Sequence, residues 1–392
     1  MALLNLYLTT GQKLTKEQLQ SVHAKWTQKQ LIAVEVVLSN LVRYQKGKVL
    51  FESRHRANTL KQYNPLEVGH YAMLGAIEKL KDSKHINFTL GTHNYQKGKT
   101  VTPKLSEISL TSKGEKLCES LNITPSTVSR VREERHLLLK SPGSEGKIIE
   151  YIEDDYSRFT EQQMVEYNDM LNEHLITDND KTYHQPFISR TYRDIDGSKL
   201  LKYGGRSGGH WHQLSKKKRD QIKIDGKKTT KCDYTSSVIN ILYLIETRKM
   251  LGRGVDGYEV EGYPRDLVKI MVNRMLNNSS KQAATMAYKR WLRNEATEKD
   301  KETSKKIVPL RLQNKILETH PLIASYFYRG KDFGQRVSWV EANVVFTIAQ
   351  QLTLIGVPVL TVHDEFICKE EDEEIVWEMM YSTYVEYVKL ES

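Results

Sequence analysis

Apolar positions recur at helical spacing through Leu31, Val34, Leu38, Leu41 and Val42, which predicts a helix over residues 15–45. Thr15 and Gln18 fit a capping box, in which each side chain takes up a free backbone amide of the other. Further helices are expected over residues 67–81 and 160–175, with a basic, turn-rich stretch at 91–104 between them. In Ile123-Thr-Pro-Ser-Thr-Val-Ser-Arg-Val131, Thr124 or Ser126 can cap and Pro125 suits a first turn, so a helix start is expected there. A short helix, a turn at Asn122 and a second Ser/Thr/Arg-rich helix also outline a helix-turn-helix unit. A capped helix in an all-helical domain is the simpler expectation. The stretch 141–146 reads as a linker or turn. At residues 178–180 the composition shifts toward glycine, tyrosine and basic residues. This divides the chain into a helical N-terminal domain, 1–180, and a functional half, 181–392.

In the second half the pattern turns strand-like twice, and each time it delivers an aspartate. Thr229–Cys232 leads into Asp233, after which an apolar helical pattern begins. Val357–Val362 reads as a strand, His363-Asp364 as a tight turn, and Glu365–Cys368 as the returning strand. A carboxylate at a hairpin flanked by Val, Ile, Leu and Phe is costly unless something compensates it. Two carboxylates on adjacent strands suit a pair of Mg²⁺ ions about 3.5–4 Å apart, with Mn²⁺ as a substitute. Between them, residues 264–291 read as one long helix beginning near Pro264. Arg265, Lys269, Asn273 and Asn277 step by four and form a stripe on it. Arg265 and Lys269 make a cationic pair suited to a triphosphate. Together these elements predict an α+β fold.

Composition narrows the class. The chain has 392 residues, enough for two or three domains, with 39% hydrophobic and 28% charged residues. No stretch approaches the roughly 18 apolar residues of a membrane span. The N-terminus lacks the basic and apolar regions of a signal peptide. Cys118, Cys232 and Cys368 are scattered and odd in number, which speaks for a reducing compartment such as the cytoplasm. The formal net charge of +10 suggests a polyanion partner. Residues 201–232 hold eight Lys and two Arg against two Asp, including the run Lys216, Lys217, Lys218 and Arg219.

The ordered set of motifs resembles the family A DNA polymerases and the related single-subunit phage RNA polymerases. Asp233-Tyr-Thr-Ser-Ser237 resembles their motif A, Arg265-x-x-x-Lys269 the opening of motif B, and Val362-His-Asp-Glu365 motif C. Upstream, Gly205-Arg206-Ser207 and His212-Gln213-Leu214-Ser215, with Arg219, resemble segments that grip template and primer. The block also resembles a divergent group of plasmid- and phage-encoded polymerase-like proteins. The resemblance spans residues 188–385. It implies a right-hand polymerase core over 181–392, with a small antiparallel palm sheet and helical fingers over 244–336. Asp233 and Asp364 would be metal ligands, with the Tyr234 carbonyl completing one site and Glu365 in support. Arg265 and Lys269, on the stripe that continues to Asn273 and Asn277, would bind the incoming nucleotide, Lys269 doubling as proton donor to pyrophosphate. Arg206, Gln213, Lys216, Lys217, Lys218, Arg219 and His363 would lie along the nucleic acid. The implied partners are DNA or RNA primer-template and nucleoside triphosphates.

Two departures bear on the sugar. The family places an aromatic eight residues after the motif B lysine, where this chain has Asn277, or Asn278 if the helix is offset by one. Its DNA polymerases place a glutamate five residues after the motif A aspartate, where this chain has Val238. Ribonucleotide use, and primase- or RNA polymerase-like activity, follows as an expectation. No segment supplies a 3′–5′ exonuclease carboxylate set. The rival readings are a DNA-binding replication or regulatory factor that reads duplex through residues 124–131, and a template-independent terminal transferase. His210 and His212 would share a face on a strand, but a nucleic-acid-contacting loop with Trp211 packed is preferred to a metal site. His320 reads as structural, Glu341 as facing motif C or solvent, and Glu370–Glu374 as an acidic helix start.

Overall fold

The computed structural model describes residues 2–3, 8–43, 49–51, 61–91, 95–96, 99–100, 106–130, 135–143, 146–179, 182–183, 186–251 and 255–390. The chain forms two compact units, 1–135 and 136–392. The division falls 45 residues before the one expected from composition, and helix α4 (Asp155–Glu173) packs inside the second unit. Among the described residues no helix is long and apolar enough to cross a membrane.

The first unit is mixed rather than helical. Helices α1 (Gln28–Arg43) and α2 (His70–Asp82) bury Leu31, Val34, Leu38 and Leu41 against Met73, Ile77 and Leu80. A four-stranded sheet runs in the order β1 (Ala2–Leu3), β3 (Val49–Phe51), β7 (Ser106–Leu110), β4 (Ile86–Thr89). Strand β2 (Leu8–Thr9) pairs with β8 (Ser129–Arg130), and β5 (Tyr95–Gln96) pairs antiparallel with β6 (Lys99–Thr100). Both short strands fall within the stretch expected to be turn-rich. The strands are two to five residues long, too short for period-two alternation to stand out.

Two local expectations in this unit are corrected. The Thr15–Gln18 box forms, with Thr15 N–H donating to Gln18 Oε1 at 2.8 Å and Gln18 N–H to Thr15 Oγ1 at 3.3 Å. It closes only a turn. The same signature recurs at Thr27 and Gln30, and this second box starts α1. The expected helix after Pro125 is a turn leading into β8. Thr127 Oγ1 donates to Asn122 O at 2.9 Å, and Asn122 takes a positive φ of 53°, so the threonine-rich run spends its side chains on a turn. The helix preceding it is α3 (Ser112–Ser120), capped by Thr111, whose Oγ1 accepts from Gly114 N at 3.1 Å. Among the described residues 123–130 no second helix follows Asn122, and residues 131–134 lie outside the described residues.

In the second unit, β9 (Leu137–Lys140) pairs antiparallel with β10 (Ile148–Ile149); of the turn expected at 141–146, residues 144–145 lie outside the described residues. A four-stranded sheet runs β10-β9-β13 (Ser189–Arg193)-β14 (Gly204–Gly208). The second sheet has six strands in the order β12 (Thr182–Tyr183), β11 (Ile176–Thr177), β15 (Lys223–Ile224), β16 (Lys227–Asp233), β18 (Glu365–Lys369), β17 (Val359–Val362). A four-residue helix, α5 (Lys216–Arg219), precedes β15, and α6 (Ser237–Thr247) follows β16.

The long helix expected from Pro264 is two, α7 (Arg265–Leu276) and α8 (Lys281–Asn294). The break is Asn277-Asn-Ser-Ser280, whose short polar side chains favour caps over helix interior. Ser280 Oγ accepts from Ala283 N at 3.1 Å and starts α8. Then come α9 (Glu298–Ser304), α10 (Pro309–Thr319), the 24-residue α11 (Lys331–Leu354) and α12 (Glu373–Leu390).

Helix α11 is the centre of this unit. It packs on β14, α12, α6, α4, β17 and α7. Strand β17 is a sheet edge, yet its outward carbonyls are not left open. Tyr167 of α4 donates to Val359 O at 2.7 Å and Trp211 Nε1 to Thr361 O at 2.9 Å. His210 to Gln213 form a 3-10 turn rather than a strand, which removes the shared face expected for His210 and His212 and buries Trp211.

Gly205 on β14 marks a tight spot. Its φ is +82°, and a Cβ there would lie 2.7 Å from the Tyr192 ring and 3.1 Å from an Arg190 nitrogen. Gly205→Ala should lower the unfolding free energy by about 2–4 kcal/mol, from combined backbone strain and overpacking. Gly208→Ala, where nothing lies within 4 Å, should stay within about 0.5 kcal/mol of the parent. Urea titrations of the two variants check this.

Candidate functional site

Asp233 ends β16 and Asp364 sits in the turn between β17 and β18. The antiparallel register sets Asp233 opposite Glu365, and Val362 opposite the same Glu365. The sheet thus brings both aspartates to one end of three neighbouring strands. His363 occupies the turn at φ 59°, which lets two residues reverse the chain.

A third carboxylate joins them. Glu341 of α11 is buried, at 3% exposure. It raises the proton affinity of both aspartates. Asp233 is open to solvent on one side, but enough protein surrounds it that its carboxyl rises above the usual range. Asp364 is pushed up to about 7 by burial first, then by Glu341 and Asp233, with Lys269 opposing. Arg206 of β14 binds Glu341, Nε donating to Oε2 at 3.1 Å, and Glu341 holds the guanidinium further into its charged form.

Helix α7 faces the carboxylates with its stripe. Lys269 lies 5.8 Å from the centre of the Tyr258 ring, and the Arg265 guanidinium carbon 5.5 Å from it. Arg265 is ion-paired with Asp256. Asp256 also accepts from Ser236 Oγ at 2.6 Å and Tyr258 N at 2.9 Å. Burial alone would raise the Asp256 carboxyl; these donors outweigh it and hold it below the ordinary range. Lys269 makes no ion pair among the described residues.

A cavity of about 220 Å³ lies between α7, α11 and the hairpin. Of the predicted residues it gathers Arg206, Lys269, Asn273, Asn277, His363 and Asp364. Val238, Tyr258 and Glu341 also line it. Asn277 Nδ2 donates to Asn273 Oδ1 at 3.1 Å, and Asn277 rests on Gly334, where a Cβ would come within 2.4 Å of its Oδ1. A larger shallow groove, about 510 Å³, lies on α8 and holds none of these groups.

The remaining predicted residues are placed differently. The Tyr234 ring is buried against α12, its hydroxyl donating to Met380 O at 2.5 Å, so only its backbone is left to serve the site. Arg219 lies 3.4 Å from Glu365 Oε1, within ion-pair range but without hydrogen-bond geometry. Lys216 acts on Asp233 only through space. Gln213, Lys217 and Lys218 are exposed and do not line the cavity.

Of the ten cations in residues 201–232, at least five are held by carboxylates: Lys202, Arg206, Arg219, Lys227 and Lys231. Glu371 of the acidic run holds Lys227 at 2.7 Å rather than being merely solvated. His320 bridges Tyr243 and Gly257 O. His212 Nδ1 accepts from Gly209 N at 2.9 Å; burial, with His363 and Arg219 nearby, pushes its imidazole down to about 4.

Sequence reasoning missed Asp256 and Tyr258, which sit in an irregular segment with no periodicity to read. Glu341 carried a signal, as the one charged residue between Val337 and Ala349. Among the described residues no group of three or more His, Cys, Asp and Glu side chains is placed to hold a metal. Two carboxylates and a backbone carbonyl are a different donor set. Asp233 and Asp364 fit a divalent cation because burial, with the Glu341 charge added to it, disfavours their ionised forms, and such an ion offsets both effects. No protein-family model matches the chain, and no curated protein matches it.

The Asp364 carboxyl has a consequence for stability. An unfolded aspartate titrates near 4. Between about pH 4 and 7 the folded chain therefore keeps a proton that the unfolded chain releases, and this carboxyl destabilises the fold more as pH rises. Asp364→Asn should raise the melting temperature in chelator at pH 8 by a few degrees, corresponding to about 2 kcal/mol. The gain should shrink at pH 5. Thermal melts at the two pH values check it.

Proposed function

We propose that the chain is a template-directed nucleotidyltransferase that joins nucleotides without proofreading. One observation carries this reading: the sheet register brings Asp233 and Asp364 to one end of neighbouring strands, with Lys269, which has no ion pair among the described residues, acting on both. The charge balance supports it. Arg206 is spent on Glu341, Arg219 lies against Glu365, and Arg265 is spent on Asp256. Two carboxylates remain, and of the cations that act on them through space Lys269 acts on both.

Asp233, Asp364 and the Tyr234 carbonyl would hold Mg²⁺, which when bound activates the attacking hydroxyl and neutralises the phosphates. Lys269 would donate to the departing pyrophosphate, with Arg265 one turn earlier on the same helix. The helices α7 to α10 would form the fingers and the six-stranded sheet the palm. Val238 lines the cavity at the position where a carboxylate gate against ribose would stand. This supports ribonucleotide acceptance. The duplex-reading alternative is less favoured, since residues 129–130 are a strand.

Primer extension on DNA and RNA templates, with NTPs and dNTPs supplied separately, tests the reading. Extension should appear in at least one NTP arm and vanish without template. Asp233→Ala and Asp364→Ala should bring it to background. Lys269→Ala should slow it by about 10²–10⁴-fold, the usual contribution of a positioned proton donor. Mg²⁺ should raise the melting temperature of the parent but not of Asp364→Ala. Inactivity of the parent in every arm, or full activity of Asp364→Ala, would sink the proposal.

A further inference from the structure

Helix α8 carries an exposed cationic face that the proposed chemistry does not use. Met286, Lys289, Arg290 and Arg293 follow each other at i, i+3, i+4 and i+7, and so share one face. All four are exposed, Met286 at 65%, while Ala284, Tyr288 and Trp291 anchor the opposite face in the core. Lys289, Arg290 and Arg293 make no ion pair among the described residues.

Nearby carboxylates do not neutralise them. Glu298 is paired with Lys301, and Glu302 with Lys305. Asp300 caps α9 through Thr297, and Glu295 leans toward Arg274 at 3.9 Å. Residues 281–315 hold ten Lys and Arg against four Asp and Glu. The groove of about 510 Å³ on this face is lined by Met286, Lys289, Leu292 and Arg293. It therefore joins an apolar floor to cationic walls.

We propose that this face of α8 binds the single-stranded template. The proposal rests on the polymerase reading and assigns it a second, separate contact. The walls attract a polyanion. The floor discriminates among polyanions: a duplex hides its base faces, whereas a single strand exposes flat apolar bases beside each phosphate. Met286 and Leu292 take the bases while Lys289, Arg290 and Arg293 take the backbone.

The test is fluorescence anisotropy with labelled oligothymidine and a blunt duplex of equal length, in metal-free buffer over a range of salt. The parent should prefer the single strand. The triple variant Lys289→Gln/Arg290→Gln/Arg293→Gln keeps good helix formers on a solvent face. It should bind oligothymidine about tenfold or more weakly, with the slope of log affinity against log salt reduced by about 2. Met286→Gln should weaken single-strand binding while leaving that slope in place. Lys305→Gln, which removes a cation already held by Glu302, should change little.

Unchanged affinity and slope in the triple variant overturn the proposal. So does equal loss on blunt duplex, or a stripe needed for binding anionic phosphatidylserine vesicles but not oligothymidine. If the parent extends primers while the triple variant binds normally, the template face is wrong and the enzyme reading stands. If oligothymidine binding depends on the stripe but nothing is extended, the reverse holds.

Discussion

Four carboxylates converge at the end of the six-stranded sheet, and cations from the surrounding elements cover only some of them. Glu341 has Arg206 and Glu365 has Arg219. Asp233 and Asp364 share the through-space help of Lys269. Burial raises the proton affinity of both aspartates, and the charge of Glu341 adds to it. The site is thus held under electrostatic tension by its own scaffold. Anything that brings positive charge between the two aspartates releases that tension. This is the reason to read the arrangement as a site rather than as a set of internal ion pairs.

The scaffold keeps the carboxylates from separating. Asp233 is fixed by five register pairs between β16 and β18, and Asp364 by a turn of only two residues. Strand β17 would be free to fray at the sheet edge, but Tyr167 and Trp211 hold its outer carbonyls. Glu341 enters from α11, whose contacts with α4, α6, α7, α12 and two strands leave it little freedom to turn. Repulsion inside the site is opposed by hydrogen bonds and packing outside it. Arg190 adds to this. Buried at 2% exposure, it donates to Gly205 O at 2.8 Å and to Asn343 Oδ1 at 2.6 Å, and so ties β14, which carries Arg206, to α11, which carries Glu341.

Much of the second unit was legible because its signals are strong and local. The two aspartate-bearing strands, the His363-Asp364 turn and the four-step stripe on α7 all follow from apolar alternation or helical spacing. The partners of those residues were not legible. Pairs such as Arg206 with Glu341, 135 positions apart, depend on how helices and sheets stack, which no short-range pattern encodes. The first unit resisted for another reason. Its strands are very short, and the threonine-rich run at 124–127 has the composition of a cap but folds as a turn, since Ser and Thr hydroxyls serve either purpose. The duplicated Thr-x-x-Gln box shows the same degeneracy: both copies form, and only the second is followed by a helix.

Charge counted along the chain and charge available in space are different quantities here. The densest basic run, residues 201–232, loses at least half of its cations to internal carboxylates, and two of those, Arg206 and Arg219, brace the acidic cluster. Helix α8 belongs to a less dense segment but keeps Lys289, Arg290 and Arg293 without ion pairs among the described residues. Salt distinguishes the two sets. Exposed charges are screened over a Debye length of about 8–10 Å at physiological ionic strength, whereas part-buried pairs are screened much less. Raising salt should therefore leave the carboxylate geometry intact while loosening polyanion capture at α8. The proposed reading therefore gives the holding of the carboxylates and the holding of a nucleic-acid strand to different classes of cation.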